Sequence, residues 1–317
     1  MAGAATNTPA SVRQRLLNLA RERGEPFDQL LQYYAVERFL ARLAKTRWAD
    51  ELVVKGATLL RVWGAPQARP TRDIDFHTRL VDAPETVSAA VREIIAVRAD
   101  DGLAFEQIFS ADPIVVDGRY PGVRAVVRGT LSGARFKLQI DVGAGADVVP
   151  EPGWVDYPTL LDMDSPHVLA YAPETSIAEK FEAMVSLGVA NSRLKDFYDV
   201  WLLAGTLEID GRRLAAAIAA TFIGRGTTLP VGVPVALTDA FTTRSIVTSQ
   251  WLTFCAKPGV DVTASLIEVV ERLASFLIPV VEALLAGGEF TMTWTPGGPW
   301  QTVTGRRSPA AGIRMVT

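Results

Sequence analysis

The apolar pattern of this chain changes period near its middle, and that change limits the fold more than any other feature. Between residues 50 and 145 the apolar side chains fall in short runs or alternate with polar ones: Leu52-Val53-Val54, 71–79, 113–117, 122–131 and 135–142. The last two are joined through Ser132-Gly133 as a hairpin. One amphipathic helix, 84–98, carrying Val87, Ala90, Val91, Ile94 and Ile95, lies among them. Two helices precede them, one opened by Thr8-Pro9 and stopped at Gly24, the next running from Phe27 to Leu40. From residue 174 the period is helical throughout: 174–189, 192–205, 211–223, 234–256 and 262–287. One helix within a mixed sheet of about four or five strands predicts an α+β N-terminal domain over 1–150, followed by a helical domain over 151–317. The stretch 150–172, rich in Pro and Asp, reads as a loop. The tail from Gly287 has little helical period and reads as a loop draped on the core or a flexible end.

Composition then narrows the chemistry. Two histidines, His77 and His167, cannot build a His-rich zinc site, and Cys255, alone in 317 residues, excludes an internal disulfide framework and points to a reducing compartment, the cytoplasm. The most apolar stretch, 262–287, is broken by Glu268, Glu271, Arg272 and Glu282, so no membrane span is expected. A net charge of −3 excludes a protein that is basic all over, but residues 1–80 hold 13 basic side chains against 8 acidic ones, which leaves room for a local basic face.

Asp73-Ile74-Asp75 is the first candidate for catalysis. On a strand both carboxylates leave one face while Ile74 and Phe76 enter the core. Two like charges held together are costly, and a divalent metal such as Mg²⁺ is the simplest relief for oxygen ligands; the bland alternative is a solvated acidic turn. Upstream, Lys55-Gly56-Ala57-Thr58 is a small-residue turn that opens a helix. Such a turn offers free N–H groups and a hydroxyl to phosphate, although it can equally be a plain strand-to-helix connection. Together the two elements suit a nucleoside triphosphate with Mg²⁺. Asp141 leaves the polar face of its strand just before Gly143 and can meet Asp73 and Asp75 from a neighbouring strand as a third metal ligand, or be an ordinary strand-end aspartate.

The helical half adds one anomaly. On a wheel of residues 177–188, Lys180 falls between Met184 and Leu187 inside the apolar arc, where a lysine is misplaced unless it reaches a buried anion. Asp196 and Asp199 stand one turn apart on a helix that is apolar on nearly every side. Lys180 therefore serves a bound phosphate, or fastens two helices by pairing with Asp196 or Asp199, or both. No Walker motif, no complete dinucleotide fingerprint and no nucleophile elbow is present; His77 reads as a strand-end residue and Cys255 as core.

Leu52-Val53-Val54-Lys55-Gly56-Ala57-Thr58-Leu59-Leu60-Arg61, Arg69-Pro70-Thr71-Arg72-Asp73-Ile74-Asp75-Phe76, Ile140-Asp141-Val142, Glu179-Lys180-Phe181 and Arg193-Leu194-Lys195-Asp196-Phe197-Tyr198-Asp199 resemble, in this order, the AbiEii/AbiGii toxin family of nucleotidyltransferases. The resemblance spans roughly 50–205, with Ala57 standing where the family usually has a second glycine. It implies a polymerase-beta-like nucleotidyltransferase fold with a helical C-terminal domain, acting as the toxin of a bacterial toxin–antitoxin or phage-defence pair. Relatives similar to this chain add nucleotides to the 3′ end of transfer RNA. On this resemblance Gly56, Ala57 and Thr58 hold the triphosphate, Asp73 and Asp75 the metal, and Lys180 and Asp199 complete the site, with Asp141 matching the third carboxylate.

The expectation is a Mg²⁺-dependent enzyme that moves a nucleoside monophosphate from a nucleoside triphosphate to an RNA 3′-hydroxyl, with a cognate antitoxin as partner. Asp196, with Asp199, would position Lys180 or the nucleotide. A protein or small-molecule hydroxyl as acceptor, and a silent module that only binds an antitoxin, are the alternatives.

Overall fold

A computed structural model describes residues 7–65, 69–79, 83–116, 120–145, 147–257, 259–260 and 262–302. Helix α1 (Pro9–Arg23) begins where the Thr8 hydroxyl accepts from the Ser11 N–H at 3.3 Å and ends at Gly24, whose φ of +65° a side chain would oppose. Helix α2 (Phe27–Leu43) follows and is buried along most of its length. Next come β1 (Val53–Lys55), a 3₁₀ turn (Gly56–Leu60), β2 (Asp73–Thr78), α3 (Pro84–Ala96), β3 (Ala104–Val116), β4 (Tyr120–Leu131) and β5 (Ala134–Ala144).

These strands belong to one mixed sheet of seven, ordered β3-β4-β5-β2-β1-β7-β6. The expected four or five strands fell short because β6 (Gly153–Asp156) and β7 (His167–Ala170) are four residues each and lie in the stretch that reads as a loop. They join the sheet by pairing with each other and through one parallel partnership, Val54 with Ala170. Neither strand is long enough to show a period of its own.

Ile74, Phe76, Ile140 and Val142 are fully or almost fully buried on one face of the sheet, against Phe39 and Leu40 of α2 and Val87, Val91 and Ile94 of α3. Alternation therefore sends Asp73, Asp75 and Asp141 to the opposite face, which the helical half covers.

That half comprises α4 (Pro173–Leu187), α5 (Leu194–Thr206), α6 (Gly211–Arg225), α7 (Asp239–Thr242), α8 (Ser245–Cys255) and α9 (Leu266–Leu285). They enclose a second core that reaches across to Ala57, Leu60 and Ala65. A capping box at Ser265 and Glu268 starts α9. The described part of the tail, 287–302, is draped on this core: its β9 (Met292–Trp294) and β10 (Trp300–Thr302) make a small antiparallel sheet with β8 (Ile209–Asp210), and the remainder of the tail lies outside the described residues. The indole N–H of Trp294 donates to Ala204 at 2.7 Å and that of Trp300 to Phe276 at 2.9 Å. Among the described residues no helix is long and apolar enough to cross a membrane.

Candidate active site

The site is built on strand register. Lys55 of β1 lies opposite Asp75 of β2, Asp75 opposite Asp141 of β5, and Asp141 opposite Arg124 of β4. Directly opposed residues project from the same face, so four adjacent strands carry a row of charges in the order plus, minus, minus, plus. Asp73 lies on this face two residues from Asp75, across from Gln139.

The ends of the row are tied down. The Arg124 guanidinium grips Asp141 through two bonds, Nε to Oδ1 at 2.8 Å and Nη2 to Oδ2 at 2.7 Å. Lys55 Nζ is 3.4 Å from Glu179 of α4 and 5.8 Å from the centre of the Tyr171 ring. Its neighbour Gly56 has φ +77°, and a Cβ built on it would collide with the Asp75 carboxylate. Here glycine is required both by the backbone and by what it touches.

The rest of the small-residue turn behaves otherwise. Thr58 is fully buried and its hydroxyl donates to the Asp73 carbonyl at 3.1 Å, so it anchors β2 rather than facing an incoming phosphate. Ala57 is buried against the helical core yet borders the cleft.

From the other side come α4 and α5. Lys180 Nζ lies 3.0 Å from Asp196 Oδ1 and 2.8 Å from Asp199 Oδ2, which is the helix-fastening pair weighed from the sequence, with both acids engaged. Asp199 is also gripped by Arg69, Nε to Oδ1 at 2.8 Å and Nη2 to Oδ2 at 2.9 Å, and Asp196 by Arg193 at 2.6 Å. Arg69 belongs to the segment entering β2, so the network binds the sheet to the helical half beside the row. Arg69, Lys180, Arg193 and Asp196, with Asp73, Asp75, Asp141, Glu179 and Lys195, line a cleft of about 980 Å³, behind whose wall Asp199 is buried. Such a cleft has room for a nucleotide.

The two kinds of carboxylate are tuned in opposite directions. Burial pushes Asp75 up to about 6, against Lys55, with the charges of Asp141 and Asp73 adding to the rise. Asp73 is raised by burial and then by Asp141. Burial works equally against Asp199, but Lys180 and Arg69 outweigh it and hold that carboxyl below the usual range. Asp196 and Asp199 in turn keep the Lys180 ammonium above the ordinary lysine value despite its burial.

A divalent cation fits this pattern in part. Asp73 and Asp75 are crowded anions whose charge nothing nearby fully offsets, which is what a hard cation with oxygen ligands would relieve. Asp141, however, has both oxygens taken by Arg124, and among the described residues no three His, Cys, Asp or Glu side chains converge as a metal-binding group. The residues present suit a two-carboxylate site, with Asp141 beside it already neutralised.

Arg69, Arg124, Arg193, Lys195 and Glu179 are members of the site that sequence reasoning left without a role. Arg69 was in view, because it opens the segment leading to Asp73. Arg124 had only its polar-face position on a strand to mark it, although the hairpin turn at Ser132-Gly133 sets the register that places it opposite Asp141.

A family described as nucleotidyl transferase AbiEii toxin, Type IV TA system, matches residues 38–276. Among solved structures, JHP933 from Helicobacter pylori superposes with a TM-score of 0.50 at 14% identity, covering 82% of this chain and 94% of that one. A second H. pylori structure, named provisionally as a nucleotidyltransferase, gives a TM-score of 0.46 at 14% identity, with coverage of 82% and 98%. No curated protein matches the chain in sequence.

Proposed function

The chain belongs to the AbiEii family of nucleotidyl transferase toxins of Type IV toxin–antitoxin systems, and on that premise we propose that it transfers a nucleoside monophosphate from a nucleoside triphosphate to the 3′-hydroxyl of an RNA, with transfer RNA the acceptor and translation the process blocked. The observation that carries the reading is the charge row with Asp73 beside it, facing the cleft that Lys180 borders. Nucleotidyl transfer needs a polyphosphate held in line and its developing charge offset, with no covalent nucleophile, and a site of carboxylates and cations without Cys answers that need.

In this reading Asp73 and Asp75 hold Mg²⁺. The ion, when bound, offsets charge on the reacting phosphate and the departing pyrophosphate. Lys55 and the backbone of Gly56 and Ala57 lie next to Asp75 and take the triphosphate. Arg124 holds Asp141 aimed at the same face, where it orients the attacking hydroxyl. Lys180, pinned by Asp196 and Asp199, sets a fixed positive charge at the cleft wall, and Arg69 holds Asp199 in place for it. Pre-set charges of this kind need no rearrangement as the reaction proceeds.

The test is to supply each labelled triphosphate with Mg²⁺ and either bulk transfer RNA or total cell protein. A lengthened RNA 3′ end that vanishes in Asp73→Ala is the expected result; label on protein, or label unaffected by Asp73→Ala, overturns the reading.

A further inference from the structure

The cleft does not end at Asp73. It continues into a second trough of about 870 Å³ running between α2 and β5 and closed on its far side by the chain after α8, where Gly259 packs on Pro70. Arg69, Pro70, Thr71, Arg72, Asp73, Lys195 and Lys257 border both spaces, so the two are continuous.

Beside Arg69, which is committed to Asp199, five further cations line this trough: Arg72, Arg135, Lys137, Lys195 and Lys257. All five are exposed, and none stands in an ion pair with a carboxylate among the described residues. The acidic lining is limited to Asp28 and Asp73. This is unlike the basic surplus noted in residues 1–80. There Arg38, Arg42, Arg47 and Arg69 are committed to Glu37, Asp101, Glu93 and Asp199, and of the five trough cations only Arg72 comes from that region.

Their arrangement is directional. Arg135, Lys137, Gln139 and Asp141 follow one another on the same face of β5, with Gln139 directly across from Asp73. Alternate residues of a strand stand about 6.7 Å apart, so the run covers about 20 Å from the hairpin to the charge row. That step resembles the spacing of successive phosphates in an extended nucleic-acid strand. Unpaired cations along such a path attract a polyanion by releasing its counterions.

We propose that this trough holds the phosphodiester backbone of a single-stranded 3′ segment of the acceptor RNA, entering over Arg135 and Lys137, passing between Lys195 and Lys257, and ending with its 3′-hydroxyl at Asp73. The proposal rests on the transferase reading above and adds the side from which the acceptor arrives. The triphosphate then occupies the Lys55 end of the cleft and the acceptor the opposite end.

The experiment measures binding without turnover, so that its outcome is separate from whether transfer occurs. A fluorescent single-stranded RNA of about eight nucleotides is titrated into the protein in the absence of triphosphate, over about 50 to 200 mM salt, and compared with a polyglutamate peptide of equal charge. The triple variant Arg135→Glu, Lys137→Glu, Lys257→Glu removes the path while leaving the charge row untouched. Its expected behaviour is RNA affinity reduced by at least about tenfold and a salt slope smaller by about 2, from roughly 0.7 per phosphate contact on single strands, with thermal unfolding unchanged. Should charge reversal impair folding, the corresponding triple Gln variant makes the same comparison. RNA affinity and salt slope equal to those of the parent protein overturn the proposal, and so does polyglutamate binding as tightly as RNA with the same loss in the variant.

Discussion

Gly56 and Asp75 touch at the point where any side chain on residue 56 would begin, since a Cβ built there falls on the Asp75 carboxylate. The φ of +77° at the same residue makes a side chain strained even without that collision. Gly56→Ala is therefore expected to destabilise the fold by about 1–3 kcal/mol and to push Asp75 from its place in the charge row. A carboxylate moved by an ångström costs a site of this kind on the order of a hundredfold in rate. Nucleotide transfer and thermal unfolding together check this; a variant that melts and turns over like the parent would show that the contact is slack.

The elevated pKa of Asp75 gives the metal-free protein a definite pH signature. Its carboxyl titrates at about 6 when folded against a reference of 3.8, because burial and neighbouring carboxylates disfavour the charge. The folded state thus holds a proton that the unfolded chain gives up earlier. Stability from this group is complete below the unfolded value and is lost as pH rises through about 6, a loss of about 3 kcal/mol. Asp75→Asn mimics the protonated form, so it is expected to melt above the parent at about pH 8 and alongside it at about pH 4. Mg²⁺ should stabilise the parent above pH 6 and leave Asp75→Asn unmoved. Identical melting of the two proteins over the whole range would contradict the assignment.

Lys180 separates a structural from a catalytic contribution. It neutralises two acids that are almost wholly out of solvent, Asp196 and Asp199, the latter also bound by Arg69. Removing one partner of a buried ion network leaves charge unpaired and costs about 3–5 kcal/mol, so Lys180→Met is expected to lower the melting temperature markedly. Adding Asp196→Asn relieves the unpaired charge and recovers part of the stability. Transfer activity should stay low in the double variant, since the fixed positive charge at the cleft is still missing. Activity that returns in step with stability would reduce Lys180 to a fastener of helices.

Much of this arrangement was legible in the chain, and the part that was not has a common cause. Period-two alternation put Asp73, Asp75 and Asp141 on the face opposite Ile74, Phe76 and Ile140, and helical periodicity exposed Lys180 as a cation on an apolar arc; both patterns are local, and both residue sets meet at the cleft. The Arg124–Asp141 clasp follows from the register of the β4–β5 hairpin about Ser132-Gly133, whereas the Arg69–Asp199 clasp joins residues 130 positions apart and only the docking of α5 brings them together. The strands β6 and β7 escaped notice for a related reason, because their pairing rather than their sequence makes them strands. Trp294 and Trp300 likewise showed no period, yet their indoles close the helical core by bonding carbonyls of α5 and α9.

Thr58 is where the chain suggested one role and the geometry gives another. A hydroxyl following Gly56-Ala57 suits a phosphate, but this one is shut away from solvent and donates to the carbonyl of Asp73. Thr58→Val keeps the shape of the side chain and deletes the donor, leaving that carbonyl with the more distant Thr71 hydroxyl at 3.4 Å. Loss of a buried neutral hydrogen bond costs about 0.5–1.5 kcal/mol, so a modest drop in stability is expected, with a small fall in kcat as β2 loosens beside the cleft. The KM for the triphosphate should change by less than about twofold, because no ligand contact is removed. A KM raised about tenfold with stability intact would place the hydroxyl on the triphosphate after all, and would mean that the turn opens when nucleotide binds.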